Sequence, residues 1–424
     1  MIKFLLKGVI RDRSRSLFPI ITVTVGVCLT VLVYCWVEGV SDMIVSSTAS
    51  FITGHVKIMT RAYYQEADQM PNDLALMDVG RLFGVVKKEF PSMVWTVRIR
   101  FGGLLDVPDE NGETKAQGPV AGLAVDLLSP SSPEPRILNL AKSIVRGRMP
   151  SQAGEILISE EFAGRLGIKP GDTATLIGST MHGSMTTANF VVAGTVRFGI
   201  AALDRGAMIG DLPDIQRALD MEDAAGEILG FSSDFVYRRK PSVNVTARFN
   251  ASHANADDEF SPEMVALRES SGLASELDMF SYVYAVLILI FIVPMSIVLW
   301  NAGLMGSLRR YGEIGVRMAI GEDKGHIYRS MIAESMIIGI IGSVLGTAIG
   351  LTVSYVLQAK GINIGSMLQS SSILITNTVR ARVTPVSYYL GFIPGLGATF
   401  LGTSISGIGI YKRQTSQLAK EMEA

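Results

Sequence analysis

Residues Leu17 to Val37 read LFPIITVTVGVCLTVLVYCWV, and this stretch decides the fold. No charge lies between Arg15 and Glu38, and the run reaches the roughly 20 apolar residues that a helix needs to cross a bilayer. A cleaved signal peptide is the alternative. The apolar run is longer than the roughly 7–15 residues of such a segment, and no A-x-A-like site follows it. The sequence therefore predicts an uncleaved membrane anchor.

Three further apolar stretches pass the same length test. Most of the charge lies between the first and second of the four stretches, in a segment long enough to fold on its own core. The predicted fold class is an α-helical membrane protein with four transmembrane helices and a large extracytoplasmic α+β domain. The predicted spans are residues 17–38, 281–308, 331–358 and 386–411.

Lysine and arginine are concentrated at the span ends on one side of the predicted membrane. They precede the first span, lie between the second and third, and follow the fourth, which makes both termini cytoplasmic by the positive-inside rule. The predicted segments are an amphipathic cytoplasmic segment at 1–16, an outer domain at 47–277, a cytoplasmic loop at 309–329, an outer loop at 360–382 and a cytoplasmic tail at 412–424.

Composition and motifs exclude several classes of function. The net charge of −1 provides no basic field for nucleic acid. Cys28 and Cys35 lie about 10 Å apart on a helix, too far for a disulfide. The chain has no G-x-x-x-x-G-K-[ST] loop for ATP, and its four histidines lack the spacing of a metal motif. We therefore expect no catalytic residue, no metal site and no cofactor in this chain.

The outer domain has mixed strand and helix periodicity. A Ser/Pro-rich break at Ser129–Pro135 suggests an inserted lobe at about residues 137–210. Predicted strands are 55–59, 94–101, 120–125, 155–158, 173–177, 190–196 and 243–249, and predicted helices are 79–90, 160–166, 212–219 and 262–277.

Small residues recur at helical spacing in the last two spans. Gly342, Gly346 and Gly350 form one stripe, and Gly391 and Gly395 form another. Such stripes allow the backbones of two helices to approach closely, so we expect helix packing here.

The cytoplasmic loop carries the most informative pattern, SLRRYGEIGVRMAIG from Ser307 to Gly321. Glu313 and Arg317 have the spacing of a helix-stabilising pair, and Gly321 can end that helix. The loop therefore predicts a short amphipathic helix whose apolar side needs a partner, either the lipid surface or a cytoplasmic protein. The residues assigned to this contact are Arg309, Arg310, Glu313, Ile314, Arg317, Met318, Ala319, Ile320 and Gly321.

This loop resembles that of the MacB/FtsX-like permeases, the type VII ABC transporters, which reads like R-x-x-E-I-G-x-R-x-A-x-G. The chain also has Glu334-Ser335 before its Gly-rich span, and Gly147-Arg148-Met149-Pro150 and Glu155-Ile156-Leu157 are similar to the family's outer domain. The resemblance implies a MacB-like periplasmic core domain in a bacterial inner-membrane protein.

The same resemblance implies that the loop helix couples to a separate cytoplasmic ABC ATPase dimer, which would bind ATP and Mg. A second permease copy or homologue would complete the complex, and ATP-driven motion would reach the outer domain.

Residues 53–58, Thr-Gly-His-Val-Lys-Ile, look most similar to the lipoprotein-releasing LolC/LolE branch, which implies a lipoprotein client. A MacB-like efflux subunit and an FtsX-like regulator are the alternatives within the family. A membrane-anchored extracytoplasmic sensor is the alternative outside it.

Overall fold

The computed structural model describes residues 13–109, 111–255, 257–270, 316–363 and 378–412, with scattered positions between 279 and 298. The chain divides into two compact units. The outer-domain unit contains Met43–Leu277 and Asn363–Thr378, and the helical unit contains Met1–Asp42, Asp278–Ile362 and Val379–Ala424.

Ten strands build the sheet of the outer-domain unit within the described residues. They are β1 Val56–Thr60, β2 Met93–Pro108, β3 Thr114–Val125, β4 Ile144–Gly147, β5 Glu155–Ser159, β6 Thr173–Ser179, β7 Met185–Val196, β8 Ala207–Asp211, β9 Glu227–Ser232 and β10 Pro262–Ala266.

Six of these strands close into a ring. β2 pairs with β3, β3 with β8, β8 with β5, β5 with β7, β7 with β6, and β6 returns to β2. The interior of the ring is filled by apolar side chains such as Leu105, Leu176 and Ile158, each fully buried. The ring is therefore a packed core, as expected for a small closed sheet.

Three of the remaining strands join β2 in a four-stranded antiparallel sheet in the order β10-β1-β9-β2, and the fourth, β4, pairs with β7. The 16-residue β2 serves both parts: Met93 to Arg98 pair with β9, and Ile99 to Pro108 pair with β3. The strands of the predicted inserted lobe thus complete a ring that also needs β2 and β3, and the division at residues 137–210 stays a prediction.

Helices of the outer-domain unit connect the strands, and two of its described helices begin with a side-chain cap. Thr60 accepts a hydrogen bond from the Tyr63 amide, and Ser159 accepts one from the Phe162 amide. Caps of this kind satisfy amide groups that the first helical turn leaves free. The helices are α2 Arg61–Gln65, α3 Val79–Glu89, α4 Glu134–Ile137, α5 Leu140–Ser143, α6 Glu160–Leu166, α7 Ala201–Asp204, α8 Leu212–Ala218, α9 Arg239–His253 and α10 Leu267–Ser270.

Two predictions of secondary structure were wrong. The stretch at 243–249, predicted as a strand, lies inside α9, where Ser242 and Phe249 are buried and Val245 packs against the core. That spacing places all three on one helical face. The helix predicted from residue 262 begins as the edge strand β10, where Pro262 stands at the first position, which costs no interior ladder hydrogen bond.

The helical unit contains most of α1 Arg13–Thr48, together with α11 Lys324–Lys360 and α12 Phe392–Lys412. A two-residue pairing joins β11 Ile362–Asn363 to β12 Thr378–Val379. Val23, Val27, Val31 and Cys35 of α1 are fully buried in this unit's core.

Two helices in the described part of the chain are long and apolar enough to cross a membrane, Leu17–Thr53 and Lys324–Lys360. They correspond to the first and third predicted spans. Most of the second predicted span, 281–308, lies outside the described residues, and the fourth, 386–411, falls largely on α12. The second and fourth spans stay predictions.

Candidate functional site

The cytoplasmic segment assigned by sequence is described from residue 316 onward, where residues 316–319 form a helical turn. Arg309, Arg310, Glu313 and Ile314 lie outside the described residues. The helix ends at Gly321, whose φ of 97° is in the left-handed region. The Gly321 amide donates to the Met318 carbonyl, and the Glu322 amide donates to the Arg317 carbonyl, both at 3.0 Å. This pair of hydrogen bonds is a Schellman motif.

The segment is tied closely to the start of α11. The Arg317 guanidinium lies 3.1 Å from the Glu322 carboxylate, and Met318 packs against the fully buried Ile327. Asp323 caps α11 by accepting a hydrogen bond of 2.9 Å from the Gly325 amide. We call residues 316–327 the loop–α11 junction. The contacts within this junction join the loop helix directly to the start of α11.

Residues 316–320, the first part of the junction, present an apolar and basic surface. Ile320 is 81% exposed and Val316 is 48% exposed, while Arg317 keeps 46% of its side chain in solvent. An exposed isoleucine beside an arginine is suited to an apolar groove with an acidic rim on another protein.

The glycine stripes lie where α11 meets its neighbours in the helical unit. A Cβ on Gly346 would lie 2.5 Å from the Thr24 carbonyl, and one on Gly342 would lie 2.6 Å from the Val23 Cβ. A Cβ on Gly350 would lie 3.0 Å from the Val31 Cβ. On the following stripe, Gly391 faces Val27, and Gly395 faces Ser343. These contacts place α1, α11 and α12 at close range.

In the outer domain, the Gly147–Pro150 motif forms an ion-pair turn. Arg148 pairs bidentately with Glu155, and the same carboxylate accepts a bond of 2.8 Å from the Ser151 amide. The Arg148 hydrogen bonds lower the pKa of Glu155 to about 2. Gly147 has a φ of 77°, and a Cβ there would strike the backbone of β7. The motif is therefore explained by local folding.

Sequence reasoning missed a set of buried charges on the four-stranded sheet. Lys57 and Glu227 are each 1% exposed, with Nζ and Oε1 3.0 Å apart, and Arg100 also reaches Glu227. Arg98 and Glu134, 1% and 0% exposed, form a second pair. Arginines alternating in the β2 sequence VRIR were the only available signal. Among the described residues, no three His, Cys, Asp or Glu side chains cluster as metal ligands.

His55 is buried at the start of the four-stranded sheet. Its Nδ1 accepts a hydrogen bond of 3.0 Å from the Ser232 amide, and its ring packs against Phe231 and Tyr237. Burial lowers the pKa of His55 to about 4, with a smaller opposing effect from Asp234. The accepting Nδ1 must be unprotonated, so the fold requires neutral imidazole.

The outer domain is therefore expected to lose stability as the pH falls from about 6.5 towards 4. In this range His55 takes up a proton in the unfolded state but stays neutral in the native state. The loss should reach about 2 kcal/mol, allowing for partial solvent screening. Thermal denaturation of the purified chain at pH 7.5, 6, 5 and 4 measures it. His55→Gln should flatten this part of the profile. An unchanged profile in that variant would assign the acid sensitivity to other groups.

Comparison with known proteins agrees with this architecture. The family described as MacB-like periplasmic core domain matches residues 16–261, and FtsX-like permease C-terminal matches residues 285–415. The lipoprotein-releasing system transmembrane protein LolC of Xylella fastidiosa is 24% identical over 233 residues, which cover 53% of this chain and 54% of that protein. The chain thus spans about half the length of this relative.

Two further proteins are similar, one over a shorter stretch and the other at lower sequence identity. The macrolide export ATP-binding/permease protein MacB of Bordetella avium is 29% identical over 110 residues, 26% of this chain and 16% of that protein. The periplasmic region of MacB from Actinobacillus actinomycetemcomitans matches at 13% identity and a TM-score of 0.34, covering 53% of this chain and 92% of that structure.

The core-domain match covers more than half of the chain, and the permease match covers most of the remainder. The chain belongs to the MacB/FtsX-like family of type VII ABC transporter permeases, near the LolC branch.

Proposed function

We propose that this chain is the permease subunit of an ABC transporter that passes the ATP-driven motion of a separate ATPase to its own outer domain. The observation that carries the proposal is the loop–α11 junction. The loop helix is joined to α11 by the Schellman motif at Gly321, the Arg317–Glu322 pair and the Met318–Ile327 contact. A push on the exposed Ile320 surface would therefore move the membrane helix α11 with it.

The ATPase would be a cytoplasmic dimer that carries the ATP and Mg, since the sequence has no P-loop. A second permease copy or homologue would supply the other half of the membrane complex. Both termini would be cytoplasmic and the outer domain periplasmic. Lysine and arginine are concentrated at the span ends on the side of the membrane away from the outer domain, and that side is normally cytoplasmic.

The proposed substrate is a lipoprotein extracted from the inner membrane. The support is the similarity to LolC, a protein whose name places it in a lipoprotein-releasing system, over 233 residues. An efflux subunit is the second candidate, supported by the shorter similarity to a macrolide export protein. An FtsX-like regulator and a membrane-anchored sensor are the further alternatives.

Purification of the tagged chain from its own membranes, followed by mass spectrometry, tests the proposal. A co-purifying stand-alone ABC ATPase is the expected result, and a co-purifying lipoprotein would support the release activity. A kinase or response regulator in place of an ATPase would support the sensor alternative and overturn the transporter proposal.

Arg317→Glu is expected to reduce the ATPase stimulation by the chain about tenfold or more, since an unfavourable charge contact of only 1.4 kcal/mol gives that factor. Steady-state ATP hydrolysis by the reconstituted complex measures the loss. Lys360→Glu makes the same change of charge at the opposite end of α11 and should retain stimulation.

A charge swap separates docking from local folding. Arg317→Glu with Glu322→Arg rebuilds the ion pair within the junction but reverses the charge offered to the partner. If stimulation recovers fully in the double variant, Arg317 acts only inside the junction and its role in docking is wrong. Continued loss assigns the arginine to the interface.

A further inference from the structure

The first helix enters the outer domain through an unusual segment. α1 ends at Thr48 and is followed directly by one π-helical turn, Ala49–Thr53. The Gly54 amide donates to the Ala49 carbonyl at 2.9 Å, and Gly54 has a φ of 61°, which turns the chain into β1. Turns of π-helix are rare and often mark functional positions in helices.

A buried arginine from the sheet holds this turn. Arg98, on β2, donates from Nη1 to the Ser50 carbonyl at 2.7 Å. Its Nε and Nη2 donate to the two oxygens of Glu134 at 2.7 and 2.8 Å, and Thr96 also donates to Glu134 at 2.7 Å. The planar guanidinium thus connects three parts of the outer domain: the π-helical turn, β2 and α4.

An apolar anchor lies one residue further along the turn. The Phe51 ring packs edge-on against Phe198, with ring centroids 5.1 Å apart. Phe51 also packs against a buried cluster that includes Leu138, Leu140 and Leu157. The turn is therefore fixed by a polar contact at residue 50 and by an apolar contact at residue 51.

Stability alone does not explain the buried Arg98–Glu134 pair. A buried ion pair is often no more stabilising than apolar residues of the same volume, because both charges lose their hydration. Here the arginine has a donor left over after binding Glu134 bidentately, and that donor contacts the backbone of the turn. What the ion pair supplies in addition is a fixed position for the end of a long helix.

We infer that Arg98 and Glu134 are positioning residues that make the joint between α1 and the outer domain rigid, so that displacement of α1 moves the domain without slack. This inference rests on the proposed function, in which ATP-driven motion reaches the outer domain, and it assigns α1 a part in carrying that motion. Arg98 holds the turn, and Glu134 holds Arg98. All the contacts lie within the outer-domain unit.

A distance measurement on the full chain in detergent tests the joint without any ATPase. Spin labels at the exposed Ser46 on α1 and Lys169 beyond α6 report the position of α1 against the domain, in a background of Cys28→Ser and Cys35→Ser. The parent chain should give one narrow distance distribution. Arg98→Met should widen it about twofold or more, as local contacts that restrict opening are lost.

Two variants separate a positioning role from a structural one. Arg98→Met with Glu134→Leu removes both charges, so thermal stability should recover while the distribution stays wide, because the Ser50 contact is still missing. Leu176→Ala opens a cavity in the ring and should lower stability while the distribution stays narrow. A narrow distribution in the double variant would overturn the inference.

The result of the distance measurement does not depend on whether the proposed function is right. Failure to recover an ATPase would refute the transporter proposal and leave the measured rigidity of the joint unchanged. If an ATPase is recovered, the Arg98→Met, Glu134→Leu double variant should hydrolyse ATP with normal stimulation and lose client release. Release at the parent rate in that variant would also overturn the inference.

Discussion

Glu227→Gln is expected to lower the free energy of unfolding of the outer domain by about 3–5 kcal/mol, the usual result of removing one partner from a buried ion pair. Glu227 is 1% exposed and its Oε1 lies 3.0 Å from Lys57 Nζ and 2.9 Å from Arg100 Nη2. Two cations therefore share one carboxylate, and the amide would remove the negative charge that both of them contact. The neighbouring cations hold the pKa of Glu227 below its usual value despite its burial.

Chemical denaturation of the purified chain, followed by tryptophan fluorescence, measures this effect because Trp95 is buried on β2. Glu155→Gln is the matched control. Glu155 is also buried and paired with an arginine, but Arg148 is 55% exposed and can return to water. Its loss should therefore be nearer the roughly 1 kcal/mol of a surface pair. Equal losses in the two variants would show that the burial of Lys57 contributes nothing to the penalty.

Alternation of apolar residues was enough to locate most strands of the outer domain. Strands predicted at 55–59, 120–125, 155–158 and 173–177 overlap β1, β3, β5 and β6. β9 was missed because EILGFS has no clean period-2 pattern, and every residue from Glu227 to Phe231 is buried. A strand with both faces covered cannot be distinguished by periodicity alone.

The buried charges show a second limit. The alternation in β2 predicted a strand, and such a pattern normally places Arg98 and Arg100 on a solvated face. Their partners Glu134 and Glu227 lie 36 and 127 residues away in the chain. Nothing in a single sequence identifies which carboxylates return to that face, since the pairing depends on where α4 and β9 meet β2 in the folded chain.

Features of the candidate site that depend on local geometry could be predicted from the sequence. A glycine after a short amphipathic segment predicted the end of the loop helix, and the helix does end at Gly321. The ion pair of Arg317 was assigned to Glu313, which lies outside the described residues, whereas the structure places Glu322 beside Arg317. The sequence assigned Ile320 to a partner contact, and the structure adds the exposure of its side chain, which is 81%.

Gly346→Val is expected to separate α1 from α11 and to reduce strongly the amount of folded chain recovered from membranes. The new Cβ would lie 2.5 Å from the Thr24 carbonyl and 2.8 Å from the Val27 Cβ. A backbone carbonyl within a helix cannot turn aside as a flexible side chain does, so the helices themselves must move. Overpacking of this kind costs about 1–3 kcal/mol in ordinary cores, and a close backbone contact belongs at the upper end or beyond.

Ala348→Val is the control, since it places the same β-branched side chain two residues away on an exposed face of α11. Monodispersity and thermal stability in detergent should be close to those of the parent for Ala348→Val and clearly reduced for Gly346→Val. Small interfacial residues matter in membranes because apolar burial between helices provides little driving force there, and close contact provides the attraction. If both variants behave alike, the valine's intrinsic effect on the helix explains the result and the close approach of α1 to α11 is wrong.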